Sequence, residues 1–350
     1  MSGSELCLLR KEKLRDPISS VEMKMENKSK KSKKSCIVIP SVILALVVLG
    51  VFLYYMLFQS NFANFGNFSK SLFGSNSVCR NESNATVLLV GIDYRAGDYL
   101  YGLADVIRVA EVDFDNQTIN MVAIPRDLLV EIPPDRFKVP GPYKINQAYF
   151  FGTPGMLNYY GEGNGADSLN EVIDYNFGVK ADHYLVINFY TFVDFINAIG
   201  GVDVNLPEAV YGGSQGDFPA GEQTLTGERA LALARIRENY SDAFRVRNQS
   251  LIIRGAFEKM LQPTMLLKSP LLIAQFKDSI LTDLPLDQLG SIALCFQDFD
   301  SSNLQTHEVP EEFLTLENIF LPSLNEWSYG FRWDNRLIEW IETSLKNVGD

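Results

Sequence analysis

Histidine is nearly absent from this chain. Only His183 and His307 occur among 350 residues, and cysteine appears four times. No H-E-x-x-H, no Walker A loop and no C-x-x-C is present, so zinc catalysis and P-loop nucleotide chemistry lack their parts. Ser-His-Asp hydrolysis is poorly supported by two histidines, and His183, at the start of an apolar run, reads as structural. Charge is also missing from one stretch, 36–58 (CIVIPSVILALVVLGVFLYYMLF). A segment of that length spans a bilayer with some tilt. Lys28, Lys30, Lys31, Lys33 and Lys34 precede it, which keeps the amino terminus in the cytoplasm. The competing reading is a cleaved signal peptide, but the apolar run is too long for an ordinary one and no small-x-small site follows.

The division expected is a basic cytoplasmic tail at 1–35, a transmembrane helix at 36–58, a stalk at 59–84 and an extracytoplasmic domain at 85–347. Localisation is then the cell membrane, single-pass. The tail holds ten Lys/Arg against five Asp/Glu, while the whole chain carries −12. The body is therefore strongly acidic, which argues against nucleic acid as a partner. Cys79 and Cys295 both fall outside the membrane and can pair or stay free; the sequence leaves this open.

Apolar runs of strand type stand at 86–92, 106–113, 118–124, 183–189, 202–207 and near 304–309. Helical stretches are expected at 168–176, 191–200, 226–234, 242–262, 266–280, 286–296 and 333–347. Strands alternating with helices indicate an α/β sandwich, a central mixed sheet flanked by helices. The long 128–166 segment, full of Pro, Gly and Tyr, reads as a functional excursion.

Against the acidic background, Thr226–Arg254 is rich in arginine. Arg235 and Arg237 are two apart, so they point the same way only if the chain is extended there. Asp242 is a plausible N-cap, and Asp242, Arg245 and Gln249 share one helical face; Arg247 does not. A salt-bridged surface helix and an anion site both fit this run. Asp93 and Asp105 stand at strand ends and suit a hard cation such as Mg²⁺. Arg126 follows Pro125 at another strand end, with Asp127 or Glu131 as alternative partners. Lys144 opens an expected helix, where an anion would offset its clash with the macrodipole.

These motifs occur in a fixed order: VLLVGID, the aspartate of GLAD, AIPRD, KINQAY, ADHYLVINF, INAIGGVDV, AGEQTLTGERALALARIR and SDAFRVRNQ. Together they resemble the LytR-CpsA-Psr family of bacterial membrane-anchored enzymes, strongly over 85–260 and weakly on to about 345. The resemblance implies transfer of a glycopolymer from a polyprenyl-pyrophosphate carrier to peptidoglycan, with Mg²⁺ or Mn²⁺ as cofactor. It implies that Asp93 and Asp105 associate with the metal. Arg126, Lys144, Arg235, Arg237, Arg245 and Gln249 would bind pyrophosphate, with Asp242 ahead of Arg245; Asp93, Asp105, Arg126, Arg235 and Arg237 would carry the catalysis. It also implies an apolar tunnel for the lipid, for which Val186, Phe189, Phe192, Phe195, Leu233, Ile252 and Phe257 are candidates. An ordinary packed core fits these seven equally well. The chain departs from the family pattern twice. Leu103-Ala-Asp-Val replaces Arg-Ser-Asp-Thr, and Asn248 replaces the second arginine of R-x-x-R. Arg108 is a candidate substitute for the first loss. A lipid-pyrophosphate hydrolase, and a non-catalytic envelope-binding or regulatory protein, remain as alternatives.

Overall fold

The structure is a computed structural model and describes residues 83–94, 102–237, 242–285, 288–289, 292, 295–296, 299–323 and 325–346. All of them belong to one compact unit, Asn64–Asp350. The expected tail, transmembrane helix and stalk lie outside the described residues as far as residue 82. Among the described residues no helix is long and apolar enough to cross a membrane. Cys295 is disulfide-bonded, and Cys79 lies outside the described residues.

The first apolar run is strand β1 (Asn84–Ile92). β2 (Ala104–Asp113) and β3 (Thr118–Ala123) form the expected hairpin, with Gln117 taking a left-handed φ of 56° at its corner. Pro125 ends β3 because it has no N–H for the ladder. The 128–166 excursion has structure of its own. β4 (Leu129–Val130) pairs with β5 (Tyr143–Lys144), and the short helix α1 (Asn146–Phe151) follows. Lys144 is therefore a strand residue ahead of α1, not the first residue of a helix. Helix α2 (Gly165–Phe177) exceeds its expected span because Asn164 and Asp167 close a capping box at one end and Gly178, at φ 69°, closes the other.

β6 (His183–Asn188) leads directly into α3 (Phe189–Ala198), where Asn188 caps the helix by accepting from the Thr191 N–H. β7 (Val202–Leu206), β8 (Val210–Tyr211), β9 (Asp217–Phe218) and β10 (Gly221–Leu225) follow. Next come α4 (Gly227–Arg235), α5 (Asp242–Leu261) and α6 (Pro263–Phe276), then β11 (Leu281–Thr282) and β12 (Leu304–Glu308). The expected helix at 286–296 lies largely outside the described residues. β13 (Leu314–Leu321) and β14 (Glu326–Trp333) make a hairpin that was not expected, and α7 (Arg336–Lys346) ends the described chain.

Six strands form the central mixed sheet in the order β11-β6-β1-β2-β3-β12. β1 pairs antiparallel with β2 and parallel with β6; β3 pairs parallel with β12. Period-two alternation sorts the side chains between two faces. Leu88 and Ile92 of β1 and Ile107 and Val109 of β2 pack with Leu169 and Val172 of α2 and Leu337 of α7. Full burial of each such side chain contributes about 1.5–3 kcal/mol. On the opposite face Val87, Leu89, Ala110 and Met121 meet Ile253 and Phe257 of α5. A second core joins α3, α4, α5 and α6 beside the β7–β10 ribbon. The result is the expected α/β architecture with helices on both faces.

Candidate functional site

Two local features aim the first carboxylates. Asp93 follows β1 directly, and its N–H donates to Leu103 O at 3.1 Å. In β2 the register shifts: Gly91 faces Val106 but Ile92 faces Ala104, so Asp105 has no ladder partner of its own. That irregularity turns Asp105 to the same face as Val106, where strict alternation would send it to the other. Glycine at 91 leaves room beside it, since a Cβ there would stand 3.1 Å from Val106 Cβ, a contact that Val106 would have to yield to.

A cavity of about 540 Å³ opens between this end of the sheet and helices α3, α4 and α5. Asp93, Asp105, Arg126, Arg235, Arg237, Arg245 and Gln249 all line it. Helix α4 runs through Arg235, and the chain then becomes extended at Ile236 (φ −63°, ψ 127°). Ile236 is buried between two exposed arginines, so Arg235 and Arg237 share a side, as their spacing requires. Arg235 lies 4.9 Å from the Phe189 ring centre. Gln249 ties α5 to α4 by donating to Ala234 O at 3.1 Å.

Lys144 and Asp242 do not line the cavity. Asp127 holds Lys144 at 3.0 Å and Arg126 at 3.2 Å, which ties Lys144 to the site through a shared carboxylate. Asp242 is the first described residue of α5 and grips Arg245 at 2.7 Å; its own neighbourhood is an adjoining depression of about 320 Å³. In the sequence Asp127 reads only as a competing partner for Arg126. It is a positioning residue here, and its place beside Arg126 in sequence was the available signal.

The arginines answer the question of partners in two ways. Arg126 donates to Asp105 at 2.5 Å and also contacts Asp127, and Arg245 takes Asp242. Among the described residues, Arg235 and Arg237 have no carboxylate within salt-bridge distance. Arg245 is 3% exposed and its Nε has no hydrogen-bond partner. A buried N–H without a partner is costly, and an anion at this position would satisfy it. Burial lowers the Arg245 pKa, partly opposed by Asp242, and Arg126 lowers it further. Burial raises the Asp105 carboxyl; Arg126 opposes this, and Asp93 adds to the rise. Burial also pulls Arg126 down, but Asp105 and Asp127 together hold it above its ordinary value.

Asp93 and Asp105 fit a hard divalent cation. A buried carboxyl raised in pKa beside a second carboxylate is relieved by positive charge between them. Among the described residues no cage of three or more His, Cys, Asp or Glu forms, so water or phosphate oxygens would complete the shell, as Mg²⁺ prefers.

Beneath the polar mouth the walls are apolar. Phe189, Phe192 and Ile252 line the cavity as anticipated, joined by Leu89, Val106, Leu185, Ile187, Leu231 and Ile253. Val186, Phe195, Leu233 and Phe257 are in the packed cores instead. On β6 the alternation sends Leu185 and Ile187 to the cavity and Val186 to the α2 side. Arg108 also lines the cavity, at 1% exposure, donating to Ser250 Oγ and Val246 O. Burial pushes its pKa down to about 10. Arg229 packs on Phe218 at 3.8 Å and Arg247 pairs with Glu208 at 3.2 Å, both away from the cavity. His183 pairs with Asp283 and is structural. Gly212–Gly216 has G-x-S-x-G spacing, but Ser214 sits exposed in a short 3-10 turn, and His183 and His307 are engaged elsewhere.

Arginines and apolar side chains thus line one cavity on a mixed α/β sheet, an arrangement with the chemistry to hold an amphiphile with an anionic head. The chain belongs to the LytR_cpsA_psr family, whose model matches residues 57–336. It is similar to TagU of Bacillus licheniformis, named a polyisoprenyl-teichoic acid–peptidoglycan teichoic acid transferase, with 28% identity over 87% of this chain and 95% of that one. The crystal structure of Bacillus subtilis TagV matches at a TM-score of 0.59 and 25% identity, covering 75% of this chain and 96% of that chain. The structure of TagT bound to LIIa-WTA matches at a TM-score of 0.56 and 21% identity, covering 78% and 96%, a likeness of fold.

Proposed function

We propose that this protein is a phosphotransferase that moves a glycopolymer from a polyprenyl-pyrophosphate carrier to peptidoglycan. One observation carries the reading: Arg126, Arg235, Arg237 and Arg245 all line one largely apolar cavity, and Arg235 and Arg237 lack carboxylate partners among the described residues. TagU and TagV bear names for this type of transfer. The apolar walls would hold the lipid and exclude water from the head group. The arginines would clamp the pyrophosphate oxygens, with Asp127 and Asp242 fixing Arg126 and Arg245.

Positioning and charge neutralisation supply most of the catalysis of phosphoryl transfer. A peptidoglycan hydroxyl oxygen bonds to the polymer-proximal phosphorus while the anhydride P–O bond breaks. Polyprenyl phosphate leaves, and the hydroxyl proton passes to a carboxylate at the mouth, Asp93 or Asp105. Mg²⁺ or Mn²⁺ held by those two aspartates would neutralise the charge that develops on the phosphates. The apolar stretch at 36–58 would anchor the chain in the cell membrane, amino terminus inside, with the catalytic domain facing the wall.

Transfer from a purified lipid-linked donor to peptidoglycan tests this. Arg235→Ala and Asp93→Ala should each lower the rate by about 10²–10³-fold, and a chelator should abolish it. Either variant at full activity overturns the assignment.

A further inference from the structure

The outer face of the β13–β14 hairpin takes no part in the cavity. Leu316 stands directly opposite Phe331, Asn318 opposite Tyr329 and Phe320 opposite Trp327, so these six side chains share one face. The other face is shut against the body, where Ile319 and Leu321 pack with Leu129. On the outer face Trp327 is 68%, Tyr329 64% and Leu316 60% exposed. The Phe320 and Trp327 rings meet edge to face at 5.8 Å. Aromatic area gathered in one exposed patch marks a binding surface.

The hairpin is fixed to the site. The Phe331 N–H donates to Asp127 O at 2.9 Å, and Trp333 Nε1 donates to Leu129 O at 2.9 Å. Asp127 is the residue that holds Arg126. Leu316 and Phe331 also form one wall of the 320 Å³ depression, whose other side carries Asp242, Glu308 and Glu311. The aromatic face therefore runs continuously into a groove that reaches the partner of Arg245.

Charge selects the occupant. The groove presents Glu308 and Glu311, with Asp242 bridged to Arg245, and no basic side chain among its described lining, which disfavours a phosphate-rich polymer and an anionic lipid surface. Flat aromatic faces bordered by an amide, a phenol and carboxylates match a neutral or amine-bearing glycan. Its C–H faces would lie on the rings and its hydroxyls would reach the polar rim. We propose that the outer face of β13–β14 binds the glycan strand of the acceptor peptidoglycan and leads a sugar hydroxyl along the groove to the donor phosphorus at Arg126. This rests on the transferase reading above.

The test is cosedimentation of the full-length protein with purified peptidoglycan sacculi stripped of anionic polymers, beside acceptor kinetics. Replacing both Trp327 and Tyr329 by alanine should weaken sacculus binding and raise the acceptor KM by about tenfold or more. Binding of the lipid-linked donor and the thermal melt should be unchanged, because the inner face holds the hairpin. Trp327→Phe should keep most of the binding, and Arg235→Ala should keep all of it. Unchanged sacculus binding in the double variant overturns the proposal. So does loss of binding to phosphatidylglycerol vesicles in its place. Wild-type protein that binds sacculi through these residues but never turns over the donor refutes the transferase reading alone.

Discussion

The two faces of the central sheet are built from the same strands and do opposite things. Towards α2 and α7, Leu88, Ile92 and Ile107 meet a complete layer of apolar side chains and are closed off entirely. Towards α4 and α5, Leu89, Gly91 and Val106 look into a cavity of about 540 Å³ with arginines at its mouth. Adjacent residues on one strand therefore carry different burdens: one maintains the fold, and the next keeps a space open. Packed interiors do not leave such volume without a use.

Paired truncations break that comparison if it is wrong. Leu88→Ala should cost about 2–5 kcal/mol of stability, the range for a fully enclosed leucine. Leu185→Ala, on the cavity side of β6, should cost under about 1.5 kcal/mol, because its side chain already borders empty space. Denaturant unfolding of the two variants measures the difference. Equal losses would mean that the cavity face is as tightly packed as the other.

Gly91→Val sharpens the comparison at its most sensitive point. A side chain there would press on Val106, whose Cβ is 3.1 Å from the position of an added Cβ. Overpacking of this kind costs about 1–3 kcal/mol. The larger consequence is local: pressure on Val106 disturbs the shifted register that turns Asp105 inward, so transfer activity should fall more than stability does. A variant with normal activity would show that the irregularity does not aim Asp105.

How much of this could be read beforehand differs from residue to residue. Arg235 and Arg237 were legible because a two-residue spacing has one geometric meaning, and the helix does end where that meaning requires. The β2–β3 hairpin was legible from its turn chemistry. The lining of the cavity was not. HYLVINF is apolar on both sides, as a strand buried on both faces must be, so nothing in it distinguishes Leu185 from Val186. Lys144 was misread because KINQAY has a helical tail, and the strand pairing of Tyr143 and Lys144 with Leu129 and Val130 is a tertiary event. The β13–β14 hairpin escaped notice because its turn carries no Asn-Gly or Asp-Gly signal, and its outer face breaks the usual rule that alternate residues towards water are polar.

The smallest effect tests the edge of the site. Arg247 belongs to the same basic run as Arg245 but lies two positions on, about 200° around α5. There it meets Glu208 at 3.2 Å with both side chains well exposed, and it does not line the cavity. Exposed pairs of this kind contribute about 0–1 kcal/mol. Asn248, next to it, is buried at 2% exposure and, being a neutral amide, places no charge where an arginine would. If Arg247 reached back to replace the charge lost at Asn248, its removal would act on the donor head group. If it is a surface charge, Arg247→Ala should change stability by no more than about 0.5 kcal/mol and leave donor KM and turnover unaltered. Kinetics on the lipid-linked donor decide between the two, since an electrostatic contribution to the mouth would appear in KM even where the melt does not move.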